Sequence, residues 1–337
     1  MLIALISIVL IMVYIKDIII PFILALILWF IIRAVRTLIQ RIHFKGKTLP
    51  SWIRGILSFA LIFGVLGVLT SLLASNIQGI SEVLPSYQGN LKVLRNSIDQ
   101  QFGIDVMAQM KELSGDFNLT NIITNLLNSL TSMIGNAFLV IIYVIFLMLE
   151  ESRFSGKIRA FYTDDSKRDK AFAILSQIDD SLGKYVTLKT MVSLITGLLS
   201  YFALQIIGVD FAFFWAFLIF LLNYIPNIGS LVATIFPAMV AGLQFGDLTQ
   251  ALWVLASVGV IQLLVGNFLE PKLMGNTLNI SSLVVILGLA FWGSIWGIIG
   301  MFLSVPIMVM LVIIFAQFPA TRGIAILLSD RGELKEY

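Results

Sequence analysis

The chain has 337 residues, 59% of them hydrophobic and only 12% charged, with a mean hydropathy of +0.99. A chain of that composition does not stay in water as a monomer. It reads as an all-α polytopic membrane protein, a transmembrane helical bundle. The net charge of +3 is too small for a nucleic-acid surface, and the lack of cysteine removes disulfides, thiolate metal sites and a cysteine nucleophile. The single His43 lies in a basic loop, which argues against a histidine metal site or a catalytic triad. There is no phosphate-binding glycine loop and no His-Glu-x-x-His. No cofactor, metal or enzymatic activity is expected, and an ATP-driven pump would need a separate partner.

Residues 2–15 and 18–32 are two apolar runs with Lys16, Asp17 and Pro21 between them. No small-residue cleavage site follows, so they read as retained membrane helices, either a hairpin or one bent helix. Residues 33–54 hold Arg33, Arg36, Arg41, Lys45, Lys47 and Arg54 and no acid, which places this loop in the cytoplasm. Residues 1–75 are thus N-terminal membrane helices around a basic loop. Ile56–Ala74 crosses outward, with Gly64 and Gly67 available for helix packing.

Residues 76–130 form the longest polar stretch. Their acidic bias places them outside, and Leu91, Leu94, Ile98 and Phe102 recur at helical spacing, as do Leu119, Ile122, Ile123, Leu126 and Leu130. Asn121, Asn125, Asn128, Ser132 and Asn136 form a polar stripe that runs into the next span, 131–149. The stripe is either a solvated face or the lining of a polar path or subunit interface. Residues 150–185 are highly charged and return to the cytoplasm; there Phe172, Leu175, Ile178, Leu182 and Tyr185 mark an amphipathic helix expected to lie on the membrane surface. Lys167, Arg168 and Lys170 are expected to meet lipid phosphates.

Residues 186–318 form a second membrane bundle. Its first span carries Lys189, then Ser193, Thr196 and Ser200 on one helical face. Lys189 either snorkels to the headgroups or points inward as an ion pair or substrate contact. The runs 211–222 and 231–242 then flank the break Asn223-Tyr224-Ile225-Pro226-Asn227-Ile228-Gly229-Ser230. Pro226 removes a backbone donor, and Gly229 permits a left-handed turn. Each arm, ~18–22 Å as helix, is shorter than a hydrocarbon core of ~30 Å. The two arms therefore meet inside the membrane, where broken backbone is tolerated only in protein or beside a wet cavity. That makes Asn223, Pro226, Asn227, Gly229 and Ser230 the leading candidates for a transport site. The following span ends in Asn267 and Glu270, the latter either an interfacial carboxylate or a proton or cation carrier. Residues 281–318 repeat the pattern with a break expected at Gly293-Ser294, and Gly293 and Gly297 form a Gly-x-x-x-Gly pair. Residues 319–337 are a basic cytoplasmic tail. Both termini are read as cytoplasmic.

Four stretches resemble, in order, motifs of the autoinducer-2 exporter family of bacterial inner-membrane transporters. They are Ile20–Ala25, Asn223–Ser230, Asn267–Gly275 and Gly300–Pro306. The similarity covers nearly the whole chain and lies nearest the quorum-signal transport branch. It implies export of a small signal molecule without ATP hydrolysis by the chain; other members of the family are described as sodium/proton antiporters. Three functions follow for test. The first is a secondary transporter of a small polar metabolite, which needs amides and hydroxyls. The second is a sodium (or lithium)/proton antiporter, which needs a carboxylate and has only Glu270 beside a motif. The third is a scaffold recruiting envelope proteins through the outer segment. Membrane lipid and further copies of the same chain are the expected partners, and nucleic acid is not.

Overall fold

A computed structural model describes residues 7, 10–41, 50–102, 137–274 and 279–332, and every regular element among them is a helix. The Asn121–Asn136 stripe lies outside the described residues. Six helices are long and apolar enough to cross a membrane, and Ala212–Leu222 is a shorter apolar one. The chain is an all-α polytopic membrane protein.

Helix α1 is Lys16–Gln40. The stretch 10–14 before it is also helical, and the ladder continues through Ile15: its N–H donates to the Ile11 carbonyl at 2.9 Å, and its carbonyl accepts from Ile19 at 3.0 Å. From residue 10 onward the two apolar runs are therefore joined as helix, with no hairpin turn at Lys16-Asp17. It extends to Gln40, so Arg33 and Arg36 are helical rather than in a loop. Helix α2, Ser51–Phe102, does not stop where hydropathy falls at Ala74. A helix pairs its backbone groups internally, so it can continue past the end of an apolar run. Helix α3 is Ala137–Phe161 and α4 is Asp165–Ile207.

Helices α5, Ala212–Leu222, and α6, Ile228–Phe245, are the two arms of the expected broken pair. Asp247 caps α7, Leu248–Leu264, by accepting from the Thr249 N–H. A π-helical turn, Val265–Leu269, joins α7 to α8, Glu270–Met274. Helix α9, Ser282–Ala316, precedes α10, Arg322–Leu328.

The chain divides into two compact units. The first holds residues 1–63, 136–190 and 273–337, and the second holds 64–135 and 191–272. In the first unit, Ala25 and Ile32 of α1 pack against Val140 and Val144 of α3. A second cluster joins Ile27 and Phe30 of α1, Leu182 and Tyr185 of α4, and Trp292, Trp296 and Leu303 of α9. Ile178, Leu182 and Tyr185 of the expected amphipathic face pack on this protein cluster, while Phe172 and Leu175 are half-buried outside it, and the helix runs on into the span.

A charged hub fastens three helices of this unit. Glu151 accepts from Trp29 Nε1 at 3.3 Å and from Arg36 Nη2 at 2.5 Å, and pairs with Arg33 Nε at 3.5 Å. Arg33 also pairs with Asp179 of α4 and lies 4.7 Å over the Trp29 ring. Helix α9 is broken at Gly297 (φ 64°, ψ −142°), three residues beyond the expected Gly293-Ser294. Gly293 instead stays helical and serves close packing: a Cβ there would come within 2.9 Å of the Met301 side chain.

In the second unit the core joins Leu73, Ile80 and Tyr87 of α2, Leu204 of α4, and Trp215, Ile219, Ala233, Val254 and Val258 of α5 to α7. Gly64 and Gly67 have no atom within 4 Å of a built Cβ among the described residues, so they make no close helix contact there.

Candidate functional site

The site is built on the break between α5 and α6. Helix α5 ends in tightened turns: the Tyr224 N–H reaches the Leu221 carbonyl at 3.2 Å, and the Ile225 N–H reaches Leu222 at 2.9 Å. Pro226 has no N–H to continue the ladder. Ile228 and Gly229 donate back to Pro226 and Ile225 at 2.6 and 3.1 Å. These amides are thus already spoken for.

Gly229 is not the left-handed residue. That conformation belongs to Asn227 (φ 59°, ψ −58°), while Gly229 sits in the first turn of α6. Its role is steric. A Cβ at Gly229 would lie 1.8 Å from the Leu222 carbonyl oxygen, so the two arms cross as closely as they do only because that atom is absent. The first unit repeats the device. A Cβ at Gly300 would lie 1.9 Å from the Trp292 carbonyl oxygen, and in both hairpins a left-handed residue follows the carbonyl by five positions, Asn227 in one and Gly297 in the other.

The close crossing holds Asn223 at the end of α5, 8% exposed, with its Nδ2 donating to Ser193 Oγ of α4 at 3.0 Å. Gly197, one turn further along α4, lets α5 approach: its Cβ would stand 3.1 Å from both the Ala216 carbonyl and Phe220 Cβ. Thr196 and Ser200 share this face and, like Ser193, are fully buried. Thr196 Oγ1 donates to its own helix at Val192, 2.9 Å away. The result is a row of hydroxyls with one amide, enclosed in the second unit. It can accept and donate hydrogen bonds to a neutral polar molecule.

A family model for AI-2E family transporters matches residues 2–320. The chain belongs to the AI-2E transporter family. It is 36% identical over 318 residues to the AI-2 transport protein TqsA of Escherichia coli K12, spanning 93% of this chain and 90% of that protein. It is 31% identical over 330 residues to a putative transport protein of Haemophilus influenzae Rd, spanning 95% and 92%. A Bacillus subtilis putative transport protein, YrrI, is 26% identical over 90% of this chain and 87% of its own length.

Other expected site residues of this AI-2E family chain lie elsewhere. Asn227 is exposed at the tip of the break, and the Ser230 hydroxyl turns back to its carbonyl at 2.9 Å. Pro226 is half-buried beside it. Asn267 is exposed on the π turn, and Glu270 is half-buried at the turn's end. Lys189, in the first unit, is 3% exposed, so it does not snorkel to the headgroups.

A clamp at one end of the second unit was not visible in the sequence. Tyr87 of α2 donates to Asp210 Oδ2 at 2.7 Å, and Asn90 Nδ2 donates to the Leu243 and Gln244 carbonyls at 2.9 and 3.0 Å. The Gln244 amide accepts from Asp210 N at 2.8 Å and donates to the Gly208 carbonyl at 2.9 Å. Burial and the neighbouring Asp210 carboxylate both raise the pKa of the Tyr87 hydroxyl. Between these contacts Phe211 adopts a left-handed conformation (φ 56°), with its ring seated against Gly79, where a Cβ would be 2.6 Å from Phe211 Cε1. The only local hint was the short Gly208–Phe211 turn. Tyr87 and Asn90 lie more than 120 residues from their partners.

Proposed function

We propose that the protein is a secondary exporter of a small, polar, uncharged signalling metabolite of the autoinducer-2 type across the bacterial inner membrane, with both termini in the cytoplasm. The observation that carries this reading is the buried Asn223–Ser193 pair at the broken hairpin. In an apolar bundle such a pair is costly unless it is used or fully satisfied. The AI-2 transport protein TqsA, similar over nearly all of the chain, supports the same cargo class. Buried polar side chains among the described residues are hydroxyls, one amide and Lys189, and no Asp or Glu is fully buried. That favours a neutral ligand over a cation exchanged for a proton.

The test is flux in liposomes. The wild-type protein moves labelled autoinducer-2, and Asn223→Ala lowers the rate about tenfold, the loss expected for one buried hydrogen bond to a ligand. An Asn223→Ala protein that transports at the wild-type rate removes the proposed site. Sodium-driven dissipation of a pH gradient, abolished by Glu270→Gln, would establish the antiporter instead.

A further inference from the structure

The hairpin of α5 and α6 is tied together at its base. The side-chain amide of Gln244, in the last turn of α6, accepts from Asp210 N at 2.8 Å and donates to the Gly208 carbonyl at 2.9 Å, just before α5 begins. At the far end the arms cross at Gly229 and Leu222. They therefore form one body, and α2 holds that body at its base through three contacts. Tyr87 donates to the Asp210 carboxylate at 2.7 Å, Asn90 donates to the Leu243 and Gln244 carbonyls, and the Phe211 ring sits on Gly79.

Phe211 is held in the left-handed region at φ 56°, where a residue other than glycine is rare and strained. A static brace has no use for that strain. Glycine takes such a torsion freely, and the same turn already places one at Gly208, φ 83°. Strain of this kind concentrates at switch regions and persists only where surrounding contacts over-determine it. Here those contacts are the clamp itself. Asp210, next in the chain, is bonded by Tyr87 and Gln244, while the Phe211 ring is docked on α2. Asn90, Asp210 and Gln244 are only half-buried, so water can replace their hydrogen bonds when the contacts part. We infer that the clamp is a spring-loaded latch: closed in this structure, it opens during transport, Phe211 relaxes out of the left-handed region, and the hairpin that carries Asn223 shifts as one body against α2. The latch goes beyond the export reading, because it does not depend on which molecule is carried.

The chain has no cysteine, so introduced thiols are its only ones. A Cβ built at Gly246 lies 3.7 Å from Asn90 Cβ, inside the ~3.5–4.5 Å range of a disulfide. Asn90→Cys with Gly246→Cys can therefore lock the latch shut. Transport of labelled autoinducer-2 in liposomes is compared between the oxidised and reduced forms of that one protein. At a latch, oxidation lowers the rate about tenfold or more, and reduction restores it. Spin labels on Ser86→Cys of α2 and Ile206→Cys beside the turn, both exposed positions, report opening without any cargo. Pulsed electron paramagnetic resonance should give two distances. Tyr87→Phe should shift their ratio about tenfold toward the longer, the effect of losing one hydrogen bond to a carboxylate. Equal, wild-type-like rates for the oxidised and reduced forms overturn the latch. So does a single distance that Tyr87→Phe leaves unchanged. If wild-type protein moves no autoinducer-2, the export reading falls and the two distances alone decide the latch.

Discussion

Gly229→Ala adds one carbon to the chain, and the structure says where it goes. The new Cβ would lie 1.8 Å from the Leu222 carbonyl oxygen, when even a tight contact is 3.0 Å, so the arms of the hairpin must part by about 1.2 Å. The obstacle is backbone and cannot rotate aside. Overpacking of this kind costs about 1–3 kcal/mol, and a rigid neighbour places the cost at the upper end. Against it stands the helix propensity gained by replacing glycine, about 1 kcal/mol. The net loss is about 2 kcal/mol, and the Asn223–Ser193 bond at the base of the same crossing is displaced with it. Thermal unfolding of the purified protein in detergent measures the effect. Gly64→Ala is the control, because nothing lies within 4 Å of its Cβ and it only gains propensity. Gly229→Ala should melt on the order of 5 °C below wild type, and Gly64→Ala at or slightly above it. Equal melting of the two variants would falsify the close-crossing account of the break.

Gly300→Ala, with 1.9 Å to the Trp292 carbonyl, should match Gly229→Ala in size; wild-type melting there would show that the second hairpin yields where the first does not. Glu151→Gln weakens three contacts on a part-exposed carboxylate and should cost about 1.5 kcal/mol, more than Asp179→Asn, which weakens one and should cost about 0.5 kcal/mol. Chemical denaturation that ranks them in the opposite order would remove Glu151 as the centre of the hub. The Tyr87 pKa is raised in the fold, so its contribution is complete below its ordinary value of 10.0 and fades as pH climbs through the raised one. Wild type should therefore lose its stability advantage over Tyr87→Phe only above pH 10; a loss near neutrality would mean that another group controls the clamp.

The membrane class, the helical content and the break at residues 223–227 were legible because each is local. Composition sets the first, periodicity the second, and Pro226 the third. The purpose of Gly229 was not legible, since permissive torsions and close approach leave the same letter in a sequence, and only the position of Leu222 separates them. The second break was misplaced by three residues for a related reason: Gly293 and Gly297 look alike, yet one faces Met301 and the other carries the turn. The packing of Ile178, Leu182 and Tyr185 against protein was not legible, because lipid and a protein core ask for the same side chains. The Glu151 hub and the Tyr87–Asp210 clamp join residues more than 110 positions apart, and no pattern along the chain announces such pairs. Of the candidate site, Ser193 and Asn223 proved to be partners. Asn227, Ser230, Asn267 and Glu270 lie at more exposed positions, because spacing within one helix says nothing about which face another helix will cover.

The unbroken run of α2 has a mechanical consequence. Fifty-two helical residues reach ~78 Å, so about 48 Å of the rod is left over once a bilayer core has been crossed. Tyr87 and Asn90 grip the turns at Asp210 and Gln244 from that surplus length. Movement of that length of α2 is therefore passed, through these hydrogen bonds, to the turns at the ends of the arms that carry Asn223.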